Sequence, residues 1–307
     1  MKILYILSGT LGVTESEIIK FSISSPYRYK KYTIPKRNGS GVREIAHPSK
    51  ELKFIQRIIQ REFKKYLPVD SCAMAYRDRL SVRDNASRHQ LNSYLLKMDF
   101  RNFFPSITPE LFNNKLDAAG LDVSEMDRHL ISNFCFLRYR KGGALSLSIG
   151  APTSPAISNF VMTDFDQEIS NICKSIGVVY TRYADDLTFS TQFKNRLADV
   201  PRIVKKTLRE KGYYNIQVND QKTVFSSKGH NRHVTGVTIT NDGRLSLGRN
   251  RKRLISSMVH HYSLGKLSDV DKERLKGLIA YGGYIEPEFV ERLKAKYSEE
   301  VIQNIIK

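Results

Sequence analysis

Eleven residues, YTRYADDLTFS at 180–190, constrain this chain more than any other stretch. Asp185 and Asp186 stand side by side with β-branched and aromatic residues on both flanks, the composition of strand, tight turn and strand. Two carboxylates about 4 Å apart, at an effective dielectric near 20, repel by roughly 4 kcal/mol, so a fold that holds them together needs a compensating cation. Neighbours on a strand point to opposite faces, but a hairpin turn relaxes that rule and lets both acids approach one pocket. A divalent site wants a further acid, because Mg²⁺ takes a few carboxylates plus phosphate and water oxygens. The apolar run YLLKMD at 94–99 ends in Asp99, whose carboxylate would emerge at the edge of a core. Two strands laid together would bring Asp99 and Asp185 into one site. Taken singly, each acid also reads as a solvated turn residue.

The charge balance supplies a partner. Lys and Arg number 50 against 31 Asp and Glu, a formal net charge of +19 on 307 residues. Such an excess repels itself in a compact fold unless a polyanion offsets it, which favours nucleic acid over an acidic membrane surface. Cys72, Cys135 and Cys173 lie far apart without C-x-x-C spacing, so neither a disulfide framework nor a zinc site is expected, and a reducing cytoplasm fits. The start, MKILYILSGTLG, lacks an A-x-A cleavage site. Thr14 with Glu17 reads instead as a capping box, which predicts a helix over 3–21. No apolar run reaches the length of a membrane span.

Residues 27–47 read as a strand pair around the turn RNGSG, carrying Arg28, Lys30, Lys31, Lys36, Arg37 and Arg43 before the first acid, Glu44. A helix over 49–66, capped by Ser49, places Leu52, Ile55, Ile59, Phe63 and Tyr66 on one stripe and Lys50, Lys53, Arg57, Arg61 and Lys64 beside it. That basic stripe is a solvated face or a phosphate contact. Thr108–Pro109 and Ser154–Pro155 open helices, the second running to about Ser175 and ended by Gly177. A helix follows near 200–211, then strands near 223–226 and 234–247, the latter broken by NDG at 241–243. From Leu254 the pattern is helical, preceded by the basic run RNRKR at 249–253. Mixed strands and helices with acids at strand ends predict an α+β domain with a helical C-terminal appendage.

KMDFRNFFPSI, GAPTSPAISN and YTRYADDLTFS, in that order, resemble three successive polymerase motifs of reverse transcriptases, whose Tyr-x-Asp-Asp signature is matched by Tyr183–Asp186. NASRH at 85–89 and VTG at 234–236 are similar to two elements of the bacterial retron reverse transcriptases. The resemblance covers roughly residues 27–307. It implies a right hand: an N-terminal helical segment at 1–26, fingers at 27–93, a palm at 94–243 and a helical thumb at 244–307. It implies an RNA-directed DNA polymerase that uses two Mg²⁺ ions and deoxynucleoside triphosphates in the bacterial cytoplasm. Its partners would be a cognate noncoding RNA, the branched RNA-linked DNA (msDNA) made on it, and an effector in anti-phage defence, an ATPase and nuclease pair being one form. No membrane enters. A non-catalytic RNA-binding scaffold and a group II intron-like reverse transcriptase are the alternatives.

The resemblance also implies roles. Asp99, Asp185, Asp186 and the Phe100 carbonyl would hold metal, and Lys222 would protonate pyrophosphate. Arg43 would hold triphosphate oxygens, Phe104 would exclude a ribose 2′-OH, and Gly150 would approach the nucleotide through its backbone. Asn85, His89, Val234, Thr235 and Gly236 would lie at the RNA, and Arg249, Arg251, Lys252 and Arg253 would grip its phosphates. The chain departs from the family where Ser148 and Ile149 replace the Pro-Gln that often precedes this glycine, so no amide reaches the nucleotide there.

Overall fold

The computed structural model describes residues 1–35 and 41–307. Helices α1 (Ile3–Leu11) and α2 (Glu15–Ser24) lead into a hairpin of β1 (Tyr29–Pro35) and β2 (Val42–Pro48), then α3 (Lys50–Tyr66) and α4 (Val82–Ser87). Strand β3 (Tyr94–Arg101) is followed by α5 (Pro109–Ala118), α6 (Glu125–Cys135), and the short pair β4 (Leu137–Arg138) and β5 (Leu145–Ser146). Next come α7 (Ser154–Val161), α8 (Thr163–Ser175), the hairpin β6 (Val179–Tyr183) and β7 (Asp186–Thr191), and α9 (Val200–Glu210). Short strands β8 (Gln217–Val218), β9 (Val224–Ser227), β10 (Arg232–Val234), β11 (Val237–Ile239) and β12 (Leu245–Ser246) precede four helices, α10 (Arg249–Ser263), α11 (Asp269–Ile285), α12 (Pro287–Tyr297) and α13 (Glu299–Ile306).

Several elements begin where side-chain chemistry says they should. Ser49 and Thr108 accept hydrogen bonds from Leu52 N and Leu111 N, and Thr14 and Glu17 form a reciprocal capping box. That box starts a second helix rather than continuing the first. Gly12, at φ +65°, ends α1, so the helix expected over 3–21 is two. The helix expected from Ser154 likewise breaks at Met162, and its N-cap position is Thr153, which makes no side-chain cap bond. The final helical region opens at Arg249, before Leu254. Most of the expected turn RNGSG, with Lys36 and Arg37, lies outside the described residues.

The central sheet runs β6-β7-β3-β8, with β9 also on β3. Its alternation sorts side chains by face. Leu96, Met98 and Phe100 of β3 enter the larger core with Phe165, Leu187 and Phe189. Leu95, on the opposite face, joins a second core with Ala86, Val234, Val237 and the helices α10–α13. Strand β3 therefore separates two cores. Gly150 packs the β1–β2 hairpin onto the segment before α7: Ala46 N donates to Ile149 O (2.9 Å), and at Gly150 (φ +124°) an added Cβ would stand 3.0 Å from Ala46 O. The backbone at this glycine thus makes a close approach to β2. Cys72, Cys135 and Cys173 are free and buried. Among the described residues no helix is long and apolar enough to cross a membrane.

Candidate active site

Antiparallel pairing of β3 with β7 sets Asp99 opposite Asp186, on the face that also carries Lys97 and Thr188. Asp185 is the second residue of the two-residue turn closing β6–β7, and its carbonyl accepts from Phe100 N (3.0 Å). The first turn residue, Ala184, has φ +57°, a left-handed conformation costing about 1–2 kcal/mol for a residue with a Cβ. Arg182 holds it there. Its guanidinium is fully buried, donates to Ala184 O (3.1 Å) and Asn159 Oδ1 (3.3 Å), and forks onto Asp166 through Nε–Oδ1 (2.9 Å) and Nη2–Oδ2 (2.6 Å). Tyr180 also donates to Asp166 (2.9 Å). The loop before α4 braces the outer edge of β6, with Met74 N donating to Arg182 O (2.7 Å) and Arg182 N to Cys72 O (2.9 Å).

Burial and repulsion from neighbouring acids raise the pKa values of Asp185 and Asp186. Asp186 is pushed up to about 6 by burial, then by Asp185 and Asp99; Lys222 and Lys97 oppose this. Asp185 is raised by burial and then by Asp99. Converging oxygen donors whose ionised forms repel one another suit a hard dication. Among the described residues no three acidic, His or Cys side chains close to ligand geometry. Here Lys222 Nζ donates to Asp99 Oδ2 (2.8 Å) and offsets part of the charge. The donor chemistry fits Mg²⁺; the side-chain arrangement is that of a site braced by lysine.

A cleft of about 780 Å³ lies over these acids, lined by Lys97, Asp99, Tyr183, Asp186, Lys222 and, from β10–β11, His233, Thr235 and Gly236. Lys97 is a cation that the sequence reading missed; its Nζ stands 2.8 Å from His233 Nε2. Tyr76, also missed, is half exposed at φ +60°, with its ring 6.4 Å from that of Phe104. Phe103 takes the core position and Phe104 stays half-buried beside it. Arg43 is exposed and near enough to offset a small part of the burial that raises the pKa values of Asp185 and Tyr76.

Asn85 and His89 are fully buried, contrary to the expected RNA contact. Ser190 Oγ lies 2.7 Å from His89 Nδ1, His89 Nε2 2.7 Å from Thr181 Oγ1, and Thr181 donates to Asn85 Oδ1 (2.7 Å). Asn92 Nδ2 also donates to Ser190 Oγ (2.7 Å). With Thr181 donating to Asn85, the network assigns the proton to Nε2 of a neutral imidazole. Burial, helped by Arg88, lowers the His89 pKa to about 3. Asn85 Nδ2 reaches Thr235 Oγ1 (3.5 Å), so Asn85 links α4 and the β6–β7 hairpin to the β10–β11 turn. Val234 is buried, and only Thr235 and Gly236 of that element reach the cleft.

The basic run at the start of α10 divides by use. Lys252 donates to Glu286 (2.7 Å), which also takes Arg292, Ser246 and Leu247 N, so part of its charge goes to an internal ion pair. Arg251 donates to Gly236 O (3.3 Å) and lies over the Tyr281 ring. Arg249 and Arg253 are exposed.

Residues 34–239 match the family described as "Reverse transcriptase (RNA-dependent DNA polymerase)". The chain is 50% identical over 281 residues to the retron Ec83 reverse transcriptase of Escherichia coli, covering 91% of this chain and 90% of that one. It is 34% identical over 296 residues to the retron Ec73 reverse transcriptase of the same species, covering 92% and 91%. Among solved structures, a telomerase from Candida tropicalis in complex with a TWJ fragment of telomeric RNA shares the fold at a TM-score of 0.50 and 15% identity, over 95% of this chain and 58% of that one. Sequence identity of that extent, with Tyr183–Asp186 closing the hairpin opposite Asp99, makes the chain a retron reverse transcriptase, an RNA-directed DNA polymerase.

Proposed function

We propose that the chain copies a structured noncoding RNA into DNA by two-metal nucleotidyl transfer, with Asp99, Asp185 and Asp186 as the catalytic carboxylates. The observation that carries this reading is the register that faces Asp99 with Asp186 while the Phe100 amide anchors the Asp185 carbonyl. Two Mg²⁺ ions, bound by these acids and the Phe100 carbonyl, would neutralise the triphosphate and lower the pKa of the attacking hydroxyl. Around them the chain's own residues orient the reaction. Arg43 offers a planar fork to triphosphate oxygens. The Phe104 ring stands against a ribose 2′-OH and so selects deoxynucleotides. Attack forms an oxygen–phosphorus bond at the α-phosphate and expels pyrophosphate, to which Lys222 Nζ gives a proton. Arg249 and Arg253 contact RNA phosphates, and Thr235–Gly236 forms the cleft wall facing the primer strand. In right-hand terms, 27–93 act as fingers, 94–243 as palm and 244–307 as thumb.

The retron relatives support msDNA synthesis, and we extend the proposal to its priming and setting. Synthesis starts from a guanosine 2′-OH in the chain's own RNA and leaves msDNA, in the bacterial cytoplasm, within an anti-phage defence system that restrains an effector such as an ATPase and nuclease pair. The test is incubation of purified protein with its cognate RNA, Mg²⁺ and dNTPs. Branched RNA-linked DNA is expected from wild type and none from Asp185→Asn. RNA binding without DNA synthesis overturns the catalytic reading, and full synthesis by Asp185→Asn overturns the carboxylate assignment.

A further inference from the structure

A second hollow, of about 620 Å³, lies between β1 and the β4–β5 hairpin and shares no lining residue with the catalytic cleft. Its walls alternate rings and cations. Tyr27 is half exposed, with the Arg138 guanidinium 6.0 Å from its ring centre. Lys31 Nζ lies 5.1 Å from the Tyr139 ring centre and donates to Tyr139 O (2.5 Å). Arg140 and Lys141 stand exposed at the rim. Gln56 donates to Tyr29 Oη (2.8 Å), fixing the floor. Arg138 spends Nη1 on Gly143 O (2.8 Å), while its Nε is buried and has no hydrogen-bond partner among the described residues. Burial, then Glu44, raises the Tyr139 phenol pKa, so it stays a neutral donor.

Aromatic faces interleaved with cations in a concave site suit a base turned out of a helix, with its phosphates on the rim. A duplex presents only its backbone here and leaves the rings unused. We propose that this hollow binds unpaired nucleotides: a base stacks on Tyr27, the Tyr139 edge meets its polar atoms, and Arg140 and Lys141 hold the flanking phosphates. The shared chemistry is a single-stranded nucleotide, from RNA or from newly made DNA.

The test uses the full chain with a short iodouridine-bearing single-stranded RNA, the same sequence as DNA, and a paired RNA control. Photocrosslinks to Tyr27 or Tyr139 are expected, with the tighter of the two single strands naming the source. Tyr27→Ala should weaken single-strand binding about ten-fold, with Tyr27→Phe restoring it. Tyr27→Ala should still add nucleotides to a fully annealed primer–template, so failure of the catalytic reading and failure of this one are separable. Crosslinks confined to the catalytic cleft, wild-type binding by Tyr27→Ala, or a loss seen only in Arg140→Glu would each overturn the proposal, the last by reducing it to general electrostatics.

Discussion

Two hairpins face the cleft, and each closes on two residues with a non-glycine in the left-handed region. Ala184 sits at φ +57° in β6–β7, and Thr235 at φ +47° before Gly236 at φ +82° in β10–β11. They are held very differently. The first is gripped from behind by a buried guanidinium–carboxylate fork with contacts of 2.6–3.0 Å. The second is tethered by longer bonds, 3.5 Å to Asn85, 3.4 Å to Val82 O and 3.3 Å from Arg251. The difference suits the proposed function, in which chemistry needs carboxylates fixed to within a fraction of an ångström whereas a wall along a passing strand can give.

Breaking the tight grip should have the largest effect. Arg182→Met strands the Asp166 carboxylate in the core at an expected cost of about 3–5 kcal/mol, read by urea unfolding. Adding Asp166→Leu should recover more than half of that; a double variant as unstable as the single would show that the fork does not act as a pair. The next effect probes the link between the hairpins. His89 has a folded pKa of about 3 against an ordinary 6.5, so its contribution is full above pH 6.5 and is lost as pH falls toward 3. Between about pH 7.5 and about pH 4.5 it should remove roughly 2–3 kcal/mol, a slope that His89→Asn should flatten. Equal slopes in both proteins would refute a neutral structural imidazole. On the looser turn, Gly236→Ala meets open space and should cost only the backbone strain, about 1 kcal/mol by thermal melting. Smallest of all, Arg253→Ala should leave stability within about 0.5 kcal/mol while lowering the salt-dependence slope of RNA binding by about one.

The same contrast explains what could be read from residues alone. The facing of Asp99 and Asp186 was legible because apolar alternation fixes which strand positions share a face, and capping at Ser49, Thr14 and Thr108 is local chemistry. The Arg182–Asp166 fork was not: an arginine inside a strand announces a buried partner, but nothing local identifies an acid on α8 as that partner. The burial of Asn85 and His89 was hidden for the same reason, since their partners Thr181 and Ser190 come from a hairpin about a hundred residues away. Lys252 looked like its neighbours in RNRKR until Glu286 on the far side of α11 claimed it.

Strand β3 sends Leu95 into one core and Leu96 into the other, and three residues after Leu96 it reaches Asp99. Any loosening on either side of this partition is therefore transmitted along a single extended backbone to the same oxygen atoms. A substitution in the C-terminal helices and one in the larger core would both be felt by the strand that carries Asp99.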